Sequence, residues 1–242
     1  MPRPYNADMN NQAWQKWFED IWALREETLY RQFFGDTGKG IYTLSAGTFA
    51  SIGVPDPDPR FLFHGVFECP PTDSHPDWIY VSSGMSNAWG DTPETANPDG
   101  DSGLGCEYVL HTSTRQSWAI QLLHWLMAVQ LAVATERLQG GLIHRHDRVG
   151  LGKGIPIKDG PGQITHLLVC SPQEPGLAEG DGHPSYPSEF HLPTGRVEMQ
   201  LLVGITQRER DFAQSQGVEG LVTLLRHHHV FPRTEPARIS LV

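Results

Sequence analysis

The sequence lacks the patterns of secreted, disulfide-bonded and membrane-spanning chains. Residues 1–12 contain no basic stretch followed by an apolar one, as a secretory signal requires, so we expect a cytoplasmic protein. The three cysteines, Cys69, Cys106 and Cys170, form no CxxC pair, so neither a disulfide framework nor a thiolate zinc site is indicated. The most apolar stretch, residues 118–134, is interrupted by polar residues, which predicts a buried helix and not a membrane span.

Complete catalytic motifs are also missing. The chain has no GxSxG nucleophile elbow and no HExxH metal-binding helix. The glycine cluster Gly150–Gly154 lacks the full GxxxxGK[ST] pattern of a phosphate loop and is interpreted as a turn between strands. Cys106 and Cys170 lie in apolar, strand-like runs, which is typical of buried thiols. We therefore expect a protein that is not an enzyme and needs no cofactor.

Twelve histidines keep one enzymatic alternative open. His144 and His146 would share one face of a strand, and the run His227–His229 could supply the third ligand that a catalytic zinc site needs. This arrangement would suit a metal-assisted hydrolase. The alternative without metal is that the triple histidine ends a helix, where cationic rings interact favourably with the helix dipole. We assign no metal ligand.

Lysine and arginine are absent between Phe61 and Thr114, and the formal net charge of the whole chain is −10. A field of this sign repels phosphate backbones and attracts a basic partner, which disfavours nucleic-acid binding. The alternative is that these acids only keep exposed turns solvated. The acidic residues of this block are Glu68, Asp73, Asp77, Asp91, Glu94, Asp99, Asp101 and Glu107.

Helical periodicity occurs in three parts of the chain. Apolar residues at a three-and-four spacing from Trp14 to Phe33 predict an amphipathic helix that ends at Gly35 and docks on the core, since acids and not lysines flank the apolar stripe. A long, mostly covered helix is predicted over 116–139, ended by Gly140 and Gly141. A last helix is predicted over 218–228.

Short strand-like segments separate these helices without regular βαβ alternation. This order predicts one α+β domain over 1–242, with the N-terminal helix in 1–35 and a core with a mixed, mostly antiparallel sheet in 36–242. A long polar loop is predicted over 171–193. Strands are predicted over 41–44, 61–67, 78–82, 106–111, 164–170 and 197–205.

Several segments resemble the suppressor-of-fused domain. Residues 78–91 contain a W-x-Y strand, a Gly-Met-Ser turn and a Trp-Gly-Asp loop, and 105–110 opens a strand with G-x-E. Further on, 164–168 is similar to the family's IxHxLL strand, and 199–210 is similar to its strand entering a "TxxE" helix. Residues 218–225 and 238–240 also fall in register. The agreement in order is clearest over 78–240, and the chain is identified as a short, bacterial-type member of this family.

The resembling turns give the candidate site. Gly84 and Gly90 allow backbone conformations that other residues avoid, which indicates tight turns at strand ends. An aromatic ring beside hydrogen-bonding groups is typical of a peptide-contacting surface, although a solvated turn over a core tryptophan would look the same. The predicted partner-binding residues are Tyr80, Ser86, Asn87, Trp89, Asp91, Asp99 and Asp101.

The resemblance also implies a function. Animal members bind zinc-finger transcription factors by adding a partner peptide as a strand, and Tyr80 and Asp91 match positions of that surface. Those proteins close on the peptide with a second lobe, and this chain ends where that lobe would begin. Short relatives are bacterial, and many resemble immunity proteins. We therefore expect the partner to be a basic toxin domain or an extended peptide, with a scaffold role as an alternative, neither nucleic acid nor membrane as partner, and the oligomeric state left open.

Overall fold

The computed structural model describes residues 12–174 and 184–242. Eight strands form one sheet in the order β1-β2-β3-β4-β10-β8-β5, with β9 also paired to β10, and β6 and β7 form a separate small hairpin. The strands are β1 (Tyr42–Thr43), β2 (Gly65–Cys69), β3 (Trp78–Ser83), β4 (Asp101–Thr112), β5 (Arg148–Gly150), β6 (Pro156–Ile157), β7 (Gly160–Pro161), β8 (Ile164–Cys170), β9 (Glu189–Leu192) and β10 (Gly195–Thr206). The helices are α1 (Gln12–Ala23), α2 (Tyr30–Phe34), α3 (Ala46–Ser51), α4 (Ser117–Ala134), α5 (Gln207–Gln216) and α6 (Val218–His227).

The two long strands at the centre of the sheet run parallel to each other. β10 pairs with β4 in parallel, with Leu201 opposite Val109, and it pairs antiparallel with β8 and β9 on its other side. The β1-β2, β2-β3, β3-β4 and β5-β8 pairs are all antiparallel. The predicted α+β fold with a mixed, mostly antiparallel sheet is therefore confirmed.

The N-terminal helical segment covers one face of the sheet. A π-helical turn, Leu24–Leu29, joins α1 to α2, and Gly35 ends the segment with φ 74°. Tyr30 and Phe34 pack with Val81 of β3 and Val109 of β4, because alternate strand residues point to this side. The predicted docking of this helix on the core and its end at Gly35 are confirmed.

Helix α4 covers the opposite face. Leu123 and Leu126 of α4 pack with Tyr80, Tyr108 and Leu110 of the sheet. By length and composition alone α4 could cross a membrane, but core helices of soluble proteins can be equally long and apolar. Within this fold 44% of the residues of α4 are buried. Its central position explains why the sequence there is apolar on most sides.

The predicted end of α4 was wrong. The helix stops at Ala134, and the expected stop at Gly140 lies outside it. The N–H of Glu136 donates to the Val133 carbonyl at 3.0 Å, and the N–H of Arg137 donates to the Ala132 carbonyl at 2.8 Å. Glu136 has φ 60°, so it takes the left-handed position that glycine usually fills at a helix C-terminus.

Two further boundaries differ from the predictions. Pro59–Phe63 forms a 3₁₀ turn capped by the Asp58 side chain, so the strand predicted over 61–67 begins only at Gly65. The loop predicted over 171–193 contains β9, which folds back on β10. Residues 175–183 of that loop lie outside the described part of the chain.

The C-terminal helices complete the face that carries α1. Leu221 and Leu225 of α6 pack with Leu168 of β8 and with Leu201 and Val203 of β10. A capping box starts α5, with Thr206 and Glu209 exchanging side-chain and backbone hydrogen bonds. The strand entering a "TxxE" helix, which the resemblance implied, is therefore present.

Candidate partner-binding site

Glu107 of β4 holds the turn that follows β3. Its side chain is fully buried, and Oε1 accepts hydrogen bonds from the N–H of Gly84 at 2.9 Å, the N–H of Ser86 at 3.0 Å and the Ser86 hydroxyl at 2.7 Å. Oε2 accepts from the Ser82 hydroxyl at 2.5 Å. A Cβ at Gly84, which has φ 127°, would lie 2.4 Å from the His64 ring. The Gly-Met-Ser motif is therefore a buried hydrogen-bonded turn.

Arg25, in the π-helical turn, ties the N-terminal helix to this buried turn. Its Nη1 donates to Ser86 Oγ at 2.9 Å and to Asn87 Oδ1 at 2.7 Å, and lies 3.9 Å from Glu107 Oε1. Its Nη2 donates to Glu26 Oε1 at 3.0 Å. A buried charge needs such partners, so these bonds offset part of the cost of removing the guanidinium from water.

Sequence reasoning missed Arg25. The position lies on the apolar stripe of the helix, four residues after Ile21, and a charged residue on a stripe that faces the core was the available signal. Ser86 and Asn87 could not reveal this contact, since their sequence neighbours contain no cation.

Trp89 is half-buried between the N-terminal helix and the 3₁₀ turn that precedes β2. Its Nε1 donates to His64 Nε2 at 3.0 Å, and its ring centroid lies 4.4 Å from that of Phe18 and 5.9 Å from that of Trp22. The Arg60 guanidinium lies 5.9 Å from the Trp89 ring. The Trp-Gly-Asp loop is thus part of an aromatic cluster, only partly open to a partner.

His64 is neutral in this cluster. Burial lowers its pKa to about 3, with the nearby Arg25 charge acting in the same direction. Since Nε2 accepts from Trp89, the proton resides on Nδ1, which is buried and has no hydrogen-bond partner. The buried N–H of His64 without a partner therefore costs free energy. Protonation would increase this cost, because it would place a positive charge inside the aromatic cluster.

The acidic block is divided between interior and surface. Besides Glu107, the buried acids are Glu68 and Asp77, and each pairs with an arginine outside the block. Arg115 Nη2 lies 2.7 Å from Glu68 Oε2, and Arg233 Nε lies 2.6 Å from Asp77 Oδ1. These three carboxylates are paired within the fold, so they add nothing to the exposed acidic surface.

Asp77 also begins a buried polar chain. Its Oδ2 lies 3.3 Å from Nδ1 of His111, whose Nε2 lies 2.9 Å from the Tyr186 hydroxyl. Burial alone would raise the pKa of Asp77, but the hydrogen bonds and charges of His111 and Arg233 outweigh it and the pKa is lowered. Burial lowers the pKa of His111, although Asp77 opposes the shift. All three side chains are buried, so this chain of groups has no access for a substrate.

The acids that remain near the surface concentrate in one loop, residues 91–101, which we call the acidic loop. Glu94, Asp99 and Asp101 are exposed and Asp91 is half-buried. Arg196 Nη2 lies 2.9 Å from Asp101 Oδ1 at the end of the loop. The exposed Asp73 lies outside the loop, between β2 and β3.

The structure therefore corrects the surface placement of three of the seven predicted contact residues. Tyr80 is fully buried and its hydroxyl accepts from the N–H of Gln116 at 2.6 Å, because its position in β3 points toward α4. Ser86 and Asn87 are buried beneath the N-terminal helix. Trp89, Asp91, Asp99 and Asp101 keep some exposure, and their contact role stays a prediction.

The histidines predicted as alternative metal ligands are all exposed. His146 Nε2 lies 3.3 Å from Glu174 Oε1, and His227 ends α6 with His228 as its C-cap. Over 12–174 and 184–242, no group of three or more His, Cys, Asp or Glu side chains is arranged to hold a metal ion. The three cysteines are free and buried, and burial raises the pKa of Cys69 to about 12.

Comparison with known proteins gives the family. The family model for "Suppressor of fused protein (SUFU)" matches residues 64–238, which is most of the chain and includes the buried turn, Trp89 and the acidic loop. The chain belongs to the suppressor of fused family. This is a family of protein-interaction domains.

Curated relatives are distant in sequence. The suppressor of fused homologues of Mus musculus and Homo sapiens are each 24% identical over 183 residues, covering 72% of this chain and 34% of the relative. This chain therefore matches about a third of their length.

Solved structures support the fold. A putative SUFU homologue from Neisseria gonorrhoeae matches with TM-score 0.55 and 18% identity, covering 94% of this chain and 98% of that one. A structure of the Sufu-Fu complex matches with TM-score 0.57 and 16% identity, covering 95% and 92%. Drosophila Suppressor of Fused matches with TM-score 0.51 and 19% identity, covering 74% and 42%.

Proposed function

We propose that this chain is a non-catalytic binding protein that captures a basic protein partner through the acidic loop, and that the partner is a toxin domain neutralised in the cytoplasm. The observation that carries the proposal is the division of the acidic block. Glu68, Asp77 and Glu107 are buried with arginines nearby, while Glu94 and Asp99 remain exposed in a single loop. A surface of one charge sign raises the association rate with a complementary partner, which a neutralising protein needs.

Edge strands support a second mode of contact. β5 and the two-residue β1 lie at the ends of the main strand order, and β9 has β10 as its one strand neighbour among the described residues. An extended peptide can add to such an edge through main-chain hydrogen bonds. Binding by other family members, of which the Sufu-Fu complex is a solved example, supports protein capture in general. Toxin neutralisation rests on the resemblance to short bacterial relatives.

The test uses the product of the neighbouring gene as the candidate partner. We expect the double variant Glu94→Gln/Asp99→Asn to associate several-fold more slowly at low salt and to lose part of its dependence on ionic strength. The matched control is Asp73→Asn/Glu219→Gln, which removes the same charge from exposed positions outside the loop. Equal rates and equal salt slopes for the two variants would contradict the role of the acidic loop. Failure of the neighbouring product to bind would contradict the toxin as partner.

A further inference from the structure

Helix α1 lies in a groove whose floor is the segment 87–91. One aromatic residue per helical turn enters it, since Trp14, Phe18 and Trp22 are at positions i, i+4 and i+8. Trp14 Nε1 donates to the Asp91 carbonyl and Trp22 Nε1 donates to Asn87 Oδ1, each at 2.8 Å. Phe18 packs on Trp89 between them.

The groove ends in a pocket that is built for a guanidinium group. Arg25 fills it, with Ser86 Oγ and Asn87 Oδ1 as acceptors and the Glu107 carboxylate 3.9 Å away. Ser86, Asn87 and Glu107 belong to the family-matched region 64–238, whereas the guanidinium and its remaining partner, Glu26, come from the helical segment that precedes it. The fit is incomplete, because Nε of Arg25 is buried without a hydrogen-bond partner.

The helical segment divides into two parts at Arg25. After the π-helical turn, Tyr30 and Phe34 are fully buried in the core. Before it, α1 makes its polar contacts with the 87–91 segment. A π-helical turn within a helix often marks a functional site. Beyond α1 the aromatic surface continues to Phe63, which is 61% exposed and has its ring centroid 6.4 Å from that of Trp22.

We infer that this groove is an exchangeable docking site for an amphipathic helix. In the free protein α1 fills the groove in cis. The partner that replaces α1 in trans is a helix with aromatic residues at i, i+4 and i+8 followed by an arginine. The buried Glu107 carboxylate at the end of the groove favours an arginine at that position of the helix. This docking site deepens the proposed function, because it names the segment of a partner that would bind. It rests on the proposed function in one respect, that the ligand is part of a protein.

The experiment weakens α1 in the full chain and offers the same chemistry in trans. In the Phe18→Ala chain, we expect amide hydrogen exchange of 12–29, which includes Arg25, to become much faster than that of β4, which stays protected. The probe is a labelled peptide with the sequence of residues 12–29, followed by fluorescence anisotropy. It should bind the Phe18→Ala chain saturably and the wild-type chain at least about tenfold more weakly, because an intact α1 competes for the groove.

Variant peptides test the chemistry of the groove. An Arg25→Gln peptide should bind about tenfold or more weakly, since a charge-assisted bond to the pocket is lost. A Glu19→Gln peptide is the matched control, because Glu19 is exposed and its change should leave binding intact. Exchange of 12–29 as slow as that of β4, absence of saturable binding, or equal binding of the Arg25→Gln peptide would each overturn the inference. Since neither the neighbouring gene product nor Asp99 takes part, these failures are distinct from a failure of the proposed function.

Discussion

Nη1 of Arg25 lies 3.9 Å from Oε1 of Glu107, and both side chains are almost completely buried. Burial by itself would lower the pKa of Arg25, but the nearby negative charges, Glu107 foremost, outweigh it and the pKa is raised. The guanidinium therefore remains charged inside the protein. The pair joins the N-terminal helix to the central strand β4, so its loss should affect the whole fold and not one surface.

We expect Arg25→Met to lower the free energy of unfolding by about 3–5 kcal/mol, because it leaves Glu107 as a buried carboxylate without its cation. Urea denaturation measures this loss. Arg31→Met removes an exposed arginine of α2 and should change stability by less than about 0.5 kcal/mol. The double variant Arg25→Met/Glu107→Gln should recover part of the loss, and a single variant as stable as the wild type would contradict the assigned role.

The same pair shows what the sequence could and could not predict. Strands such as 164–170 were predicted with the observed bounds, since apolar runs and their flanking turns are local signals. The lysine- and arginine-free block was also a local signal, but the cations near its buried acids are Arg25, Arg115 and Arg233, which lie outside the block. Which acids are buried depends on those distant contacts, so Ser86 and Asn87 were misplaced on the surface.

Stability should fall as the pH is lowered from 7 to 5, in part through His64. Its pKa is lowered to about 3 in the folded protein, whereas an unfolded histidine titrates near 6.5. The unfolded chain therefore binds this proton first, and stability is lost as pH falls below about 6.5 toward the folded-state pKa. The contribution approaches about 1.4 kcal/mol per pH unit.

Urea midpoints at several pH values for His64→Gln and His144→Gln would test this assignment. His144 is exposed, so its variant should keep the wild-type slope. The His64→Gln slope should be shallower but not zero, because burial also lowers the pKa of His111 and acts in the same direction. Equal slopes in both variants would show that His64 does not carry the effect.

Metal removal should leave the protein unchanged. His144 and His146 are exposed, and the arrangement around them among the described residues offers no third ligand. Untagged protein dialysed against metal-free buffer should hold well under one zinc per chain, and a chelator should not shift its Tm. One tightly held zinc per chain, with a Tm that falls on chelation, would instead support the metal-assisted hydrolase.

We expect the C-terminal residues to stabilise the end of the sheet where β10 leads into α5. Arg238 contacts both carboxylate oxygens of Glu209, at 2.5 and 2.6 Å, and donates to the Gly204 carbonyl at 2.8 Å. Burial alone would raise the pKa of Glu209, but these bonds and its capping role outweigh it and the pKa is lowered. The Thr206 and Ser240 hydroxyls lie 3.0 Å apart beside this pair, which joins two segments that the resemblance had placed only in sequence order.

We expect Arg238→Met to cost about 3–5 kcal/mol, since Glu209 is fully buried and loses its cation. Hydrogen exchange should rise first in α5, where only the capping box and the N–H of Leu241 would then hold the carboxylate. Arg208→Met is the control, because Arg208 is exposed on the same helix.

Since the carboxylate is held ionised by Arg238, wild-type stability should also fall as pH drops through the lowered pKa of Glu209. The loss of unfolding free energy on acidification should be smaller in Arg238→Met than in the wild type. An equal loss in the two proteins would mean that Arg238 does not stabilise the ionised carboxylate.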